Sequence, residues 1–491
     1  MDVEDIEAKN TNVFLRNLRR PWTQIIVIAF VCFCCPGMYN ALTGMGGSGQ
    51  VDSTVASNAT VALLAATAGS AIFVAGPLLA VIGPRNCLLI GGWTYALYSG
   101  SLLNYNHHAN SAFVIVSGAL LGIGASFLWV AQGSIMTTYV AENQKGRSIA
   151  VFWFIFNIGG AIGALISFGL NYNSSSGTVT DSTYIAFLVI MLFGWVLSVL
   201  VCSPKHIRNT ELRNEMAVDD KGLKKEKLLD MDRLKRSFMR VVKYLMDWRV
   251  LCLLPLFFCA NVFYSYQQNI VNGEAFNIRT RALNSALYWI AQMVGAAIMG
   301  AILDIIPMNR RNRGLVGWAF LFVTGMAIWG GGYKYEIWLE DRRDKDLLQN
   351  IDFKDGSIFL GPMFLYMFYG AFDSFWQTFS YWMIGATTNS AYKSAVLVGF
   401  YKTFQATGSA MAFRLNALGK PWMTQFASDW GLCIGSLLIA IPTVWTISST
   451  NVIDTPEDDA AESHYDSHNL EKTMSESERD ATAALETQRT P

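Results

Sequence analysis

Few residues in this chain are suited to chemistry. Gly44, Gly46 and Gly49, within "CCPGMYNALTGMGGSGQVD" at 34–52, have the spacing G-x-G-x-x-G. That spacing cradles a pyrophosphate when a strand precedes the glycines and a helix follows. Here the preceding segment is the apolar run "QIIVIAFVCFCCPGMYN", which reads as a helix with a kink at Pro36-Gly37. The glycines therefore mark the exit of a membrane helix, not a nucleotide loop. Asp373 and Lys402 each fall near the middle of a long apolar stretch. A charge at the bilayer centre costs about 3 kcal/mol, so its presence marks a use. At helical spacing Asp373 shares a face with Gln377, and Lys402 shares one with Gln405 and Ser409. Matching depth on adjacent helices lets Asp373 and Lys402 pair, either as an ion pair that fixes helix register or as a gated, proton-linked pair facing a cavity. G-x-S-x-G, H-E-x-x-H and P-loop motifs are absent from the sequence. No enzyme, cofactor or metal is expected.

The elements that carry these residues follow from composition. The 491 residues are 52% hydrophobic and only 15% charged, with a mean hydropathy of +0.30. A soluble chain of this length needs more charged surface. Lys+Arg and Asp+Glu balance at 37 each, so no excess charge draws nucleic acid. The apolar residues fall into blocks of about 20, the length that crosses a bilayer as a helix. Twelve spans are predicted, near 24–45, 59–81, 87–104, 112–139, 148–170, 183–202, 250–270, 284–306, 314–333, 357–384, 392–415 and 428–449. The lipid bilayer is thus the first partner. The fold class is all-α and integral to the membrane, with twelve transmembrane helices in two pseudo-symmetric six-helix halves.

Most Lys and Arg fall where both termini would be cytoplasmic, including Arg16, Arg19, Arg20, "KGR" at 145–147 and "RRNR" at 310–313. The loop 334–356 is the exception, its five basic residues being offset by seven acidic ones. The sequons at Asn58 and Asn173 fall on the opposite side, as glycosylation requires. The predicted organisation is a cytoplasmic segment 1–23, a six-helix half 24–202, a basic linker 203–249, a second half 250–449 and an acidic tail 450–491. The linker's end places Leu234, Phe238, Val241, Leu245 and Trp248 on one stripe, as for a helix lying on the inner leaflet. The tail lacks the apolar residues for a core.

A repeat connects the halves. "FNIGGAIGA" (156–164) aligns with "FQATGSAMA" (404–412), and "GSAI" (69–72) with "GAAI" (295–298). The pairs Gly118/Gly122 and Gly159/Gly163 predict close helix contacts. This architecture resembles the major facilitator superfamily. "GPLLAVIGPR" (76–85) keeps Gly76, Leu78, Gly83 and Arg85 of that superfamily's motif between spans 2 and 3, but has Ala80 where the motif has Asp. The second copy, "GAILDIIPMNRRNR" (300–313), has Asp304 with Arg310 and Arg311. Arg85, Asp304, Arg310 and Arg311 are candidates for a conformational latch.

"PGMYNALTGMGGSGQ", "FLWVAQGSIMTTY" (127–139), "ENQKGRSIAVFWFIFNIGGAIG" (142–163) and "YGAFDSFWQ" (369–377) are similar to the Unc-ninety-three-like proteins, a branch of that superfamily. The resemblance implies a cavity lined by spans 1, 4, 7 and 10. Tyr39, Asn40, Gln132, Gln268, Asp373 and Gln377 are then lining candidates, with Asn157, Gln292, Lys402 and Gln405 beside them. Two functions are expected from different classes. One is secondary transport of an unidentified small solute or ion. The other is a non-transporting subunit that regulates or escorts another membrane protein.

Overall fold

The computed structural model describes residues 13–50, 52–140, 145–174, 178–203, 207, 246–387 and 391–447. The stripe from Leu234 to Leu245 and the acidic tail lie outside the described residues. Twelve helices cross the bundle. In the first half they are α1 (Pro21–Gly44), α2 (Thr54–Ser70), α3 (Gly76–His108), α4 (Ser111–Thr138), α5 (Lys145–Leu170) and α6 (Asp181–Leu197). In the second half they are α7 (Trp248–Asn272), α8 (Ile278–Gly300), α9 (Arg310–Asp344), α10 (Ser357–Thr387), α11 (Ala391–Ala417) and α12 (Trp422–Trp445). Each half has its own apolar core, and the two cores meet where α5 packs on α8 and α2 on α11. Even numbers of spans bring the described chain ends to one end of the bundle, here called the near end. The turn Met45–Gln50 lies at the far end.

The halves are copies at the level of helix contacts. A Cβ on Gly122 of α4 would collide with the Leu63 carbonyl of α2; one on Gly370 of α10 would collide with the Tyr288 carbonyl of α8. Gly159 of α5 sits on the Phe33 backbone of α1, and Gly408 of α11 on the Phe258 carbonyl of α7. The first-partner offsets are both 225 residues (33 to 258, 63 to 288), and the second-partner offsets are 248 (122 to 370) and 249 (159 to 408). Gly159, not Gly160, is therefore the structural counterpart of Gly408.

The same offset relates two helix breaks. α1 is interrupted at Cys35, where ψ is −81° ahead of Pro36. Proline cannot donate to the preceding turn, so the break expected from sequence is present. Residue 36 plus 225 is 261, and α7 breaks over Cys259–Asn261 before finishing as a π-helical segment, Tyr266–Asn272. Interrupted spans at corresponding positions of two halves free carbonyls at membrane depth, which are tolerated where protein or a polar cavity satisfies them.

One expectation, on the extent of α9, is corrected. The segment 334–344, predicted to begin a loop, continues α9 to Asp344. Tyr335, Glu336 and Leu339 of that stretch are buried, so apolar packing carries the helix through a charged sequence. Asn58 is half-buried within α2, and its side-chain oxygen accepts from Arg414 Nη1 at 2.9 Å. A glycan there would displace that contact. Asn173 is exposed in a turn.

Candidate functional site

Asp373, the seventeenth of α10's 31 residues, is 1% exposed. Its Oδ2 accepts from Tyr264 OH of α7 at 2.7 Å and from Gln292 Nε2 of α8, and its Oδ1 accepts from Gln377 Nε2 at 3.1 Å. Donors to both oxygens satisfy the carboxyl at a depth where an unpaired polar group would be costly. Gln377 also donates to the Ala260 carbonyl at 3.0 Å and to Asn261 Oδ1 at 2.7 Å, both in the break of α7. Gln405 donates to Asn261 Oδ1, Gln377 Oε1 and Tyr401 OH, each at 3.1 Å. Tyr401 OH donates to Gln377 Oε1, and Lys402 Nζ donates to Gln405 Oε1 at 3.0 Å. Broken backbone, carboxylate and cation are thus joined in one network drawn from α7, α8, α10 and α11.

The direct Asp373–Lys402 ion pair allowed by sequence is not formed. The amides of Gln377 and Gln405 stand between them, and Lys402 lies over the rings of Tyr401 (5.2 Å) and Tyr381 (5.7 Å) instead. Three donors already satisfy Asp373, so the carboxylate has no need of the ammonium.

The first half contributes a different surface. Gln132 of α4 is half-buried nine residues from the exposed Ile123, so it projects half a turn away from the lipid face. Trp129 and Trp153 stack at 6.4 Å, with Phe156 edge-on to Trp129 at 5.5 Å. Asn40 and Asn157 are half-buried. Among the described residues the side chains of Asn40, Gln132 and Asn157 make no hydrogen bond. Tyr39 packs its ring against Tyr98 (5.6 Å) and Tyr95 (6.3 Å) of α3. Gln268 is buried in the π-helical end of α7, where its carbonyl closely abuts Gly46.

The glycine turn is where the halves are fastened. Gly46, Gly47, Ser48 and Gly49 all have φ between 50° and 84°, a left-handed path that glycine adopts freely. Gly46 is needed twice over, because a Cβ there would also run into the Gln268 carbonyl of the other half. Arg281, in the first turn of α8 and 1% exposed, donates to the carbonyls of Met45 (2.6 Å), Gly46 (2.5 Å) and Gln50 (3.1 Å). Asn272 and Tyr366 both donate to the Gly44 carbonyl, and Gly47 N donates to Asn269 Oδ1 at 2.8 Å. Asn416 of α11 donates to Ser53, which precedes α2, and to Ser57 of α2, and Arg279 Nη1 to the Tyr172 carbonyl at 2.6 Å. Arg279 is held by Asp352 Oδ2 at 2.5 Å. Burial alone would raise the Asp352 carboxyl, but donors from Asn277, the Lys354 backbone and Arg279 hold it below the ordinary range.

At the near end, Gly83 takes a φ of 77° ahead of Pro84. Among the described residues Arg85 and Asp304 form no ion pair; Arg310 Nη2 donates to the Gly385 carbonyl at 2.5 Å, and Arg311 lies over Trp445 at 4.5 Å.

Sequence reasoning missed Arg281, Glu274 and Glu336, all placed in predicted connectors. Glu336 is fully buried and accepts from Tyr266 OH at 2.6 Å. Glu274, in the connector after α7, sits beside Arg281. Burial pushes its carboxyl up to about 7, opposed by Arg281 and reinforced by Asp52. The closed far end therefore takes up a proton relative to a solvated Glu274, whose pKa would be about 4.3. That stabilisation is fully present below the solvated value and is lost as pH rises through about 7. Melting of the purified protein should show a Glu274-dependent loss of up to about 3 kcal/mol between pH 5 and 8, which Glu274→Gln removes. An unchanged pH dependence in that variant would count against the assignment.

A membrane bundle of twelve spans, pseudo-symmetric in two halves, fastened at one end and holding a polar network at mid-depth, has the build of a transporter fold. Residues 25–419 match the profile of the Major Facilitator Superfamily. A UNC93-like protein of Schizosaccharomyces pombe is 41% identical over 86% of this chain and 82% of its own length. UNC93-like protein 1 of Arabidopsis thaliana is 41% identical over 87% of this chain and 90% of its own. The chain belongs to the UNC93-like branch of the Major Facilitator Superfamily. Solved structures share its fold at low identity: a D-xylose–proton symporter (TM-score 0.57, 12% identity, 90% of this chain and 100% of that one) and a peptide transporter (0.56, 16%, 87% and 96%).

Proposed function

We propose that this protein is a secondary transporter that moves a small solute by alternating access of its two six-helix halves, with both termini cytoplasmic. The observation that carries the reading is the placement of the contacts. Among the described residues, every hydrogen bond between the halves lies at the far end, at residues 41–58 and 172 of the first half. The Asp373–Gln377–Gln405–Lys402 network lies below that seam, at mid-depth. Interfaces of this kind are bistable, because many small contacts must break together. Arg19, Arg20, Arg85, Arg310, Arg311 and Arg313 gather at the near end, so that end faces the cytoplasm on the positive-inside rule. The conformation is then the one closed to the outside. The latch candidates Asp304, Arg310 and Arg311 would engage only when the near end closes.

Reconstitution tests the reading. Purified protein in sealed liposomes should catalyse saturable exchange of at least one solute from a broad panel. No exchange by a folded preparation, together with a second membrane protein co-purifying in fixed ratio, would instead favour a regulatory or escort role.

A further inference from the structure

The network offers its two charges unequally. Asp373 is sealed, with donors from Tyr264, Gln292 and Gln377 closing over both oxygens. Lys402 is exposed, yet it does not face lipid. Met411, nine residues along α11, is 59% exposed and marks the lipid face. Nine residues at 100° each place Lys402 half a turn away, opposite it. Asn416, fourteen residues along and about 40° off the Lys402 direction, hydrogen-bonds Ser53, which precedes α2, and Ser57 of α2. Lys402 therefore projects toward the other half, about 20 Å below that contact. The facing stretch of α2 exposes Ala65 and Gly69, and a Cβ on Gly69 would meet nothing within 4 Å. Among the described residues, the ammonium is thus left uncovered on the side that faces the other half. One of its three donors goes to Gln405, while the Tyr381 and Tyr401 rings, packed 4.9 Å from one another, lie together on one side of it.

A lysine at mid-membrane is expensive, and here it is not spent on the nearest carboxylate. We propose that Lys402 is the charge that recognises the solute, and that the solute is a small organic anion whose carboxylate or phosphate is held by the ammonium beside the paired Tyr381 and Tyr401 rings. The proposal rests on the transporter reading and narrows it to a substrate class. The same anionic chemistry is available from a free solute or from the headgroup of a phospholipid entering between the halves.

The test uses the full chain in nanodiscs of neutral lipid, melted against lactate, citrate and glycerol 3-phosphate, with glucose and choline as controls. A parallel arm adds phosphatidic acid to the nanodisc. The expected result is a rise in Tm with at least one free anion. Its apparent affinity should fall about 10- to 100-fold in Lys402→Gln, the scale of a lost charged hydrogen bond, and stay within a few-fold in Lys402→Arg. A Lys402-dependent rise with phosphatidic acid alone keeps the anion chemistry and makes the lipid its source. If Lys402→Gln does not give a folded preparation, Lys402→Met takes its place, with the same loss of anion affinity expected. No rise with any anion or with phosphatidic acid overturns the proposal, as does an equal rise in Lys402→Gln. Stabilisation and exchange of glucose or choline, indifferent to Lys402, would overturn the anion while leaving the transporter intact. Lys402-dependent anion binding without any flux would do the reverse.

Discussion

Arg281→Met is expected to unfasten the far end. The side chain fits the volume, but three carbonyls, on Met45, Gly46 and Gln50, lose their donor inside a dry contact. A buried polar group left unpaired costs about 1–3 kcal/mol, and removing one partner of a buried charged contact costs about 3–5 kcal/mol. The closed conformation should lose about 3 kcal/mol or more, a shift of over 100-fold in the open–closed ratio. A cysteine placed at Ser48, now buried in the turn, should react with a membrane-impermeant maleimide much faster in Arg281→Met than in the parent. Arg281→Lys should fall between them, because an ammonium cannot span three carbonyls as the planar guanidinium does. Equal reaction rates in all three would show that the turn is held by Asn272, Asn269 and Tyr366 without the arginine.

Asp373→Asn should abolish gradient-driven flux while leaving the bundle folded. The amide is nearly isosteric, but its NH2 would face Tyr264, Gln292 or Gln377, all of which now donate to the carboxylate. Losing one or two charge-assisted bonds at about 1.5–3 kcal/mol each corresponds to a loss of flux from about 10-fold to about 25,000-fold. If the carboxylate couples ion movement to the solute, exchange at equal concentrations should survive better than uphill uptake. Uptake unchanged in Asp373→Asn would remove the network from the mechanism.

The sequence exposed those features whose cost is visible residue by residue. Asp373 and Lys402 stood out because charges in apolar runs are expensive, and Gln377 and Gln405 followed by helical spacing. Pro36 announced the break in α1. The equivalent break in α7 carries no proline at Asn261, so it emerged only from the contact offset shared by Phe33 and Phe258. Arg281, Glu274 and Glu336 were hidden by the opposite effect. A charge near a span's end is cheap and reads as loop, and only the packing of the other half shows it buried. The G-x-G-x-x-G spacing misleads for a related reason. Glycine is required at Gly46 by a left-handed φ and by the nearby Gln268 carbonyl, not by a phosphate. Register between α10 and α11 was legible, but the interposed Gln377 and Gln405 amides that replace a direct ion pair were not.

The central claim is that the two halves separate and rejoin at the far end. Spin labels on Asp52→Cys and Lys420→Cys, one on each half near the Ser53–Asn416 contact, report that seam directly by pulsed dipolar distances. Cys202 and Cys252, the two half-buried cysteines, would first be replaced by serine. The account predicts two populations, the short one matching this structure and the long one growing in Arg281→Met and as pH rises past 7. A single short distance, unmoved by the variant, by pH and by solute, would contradict it.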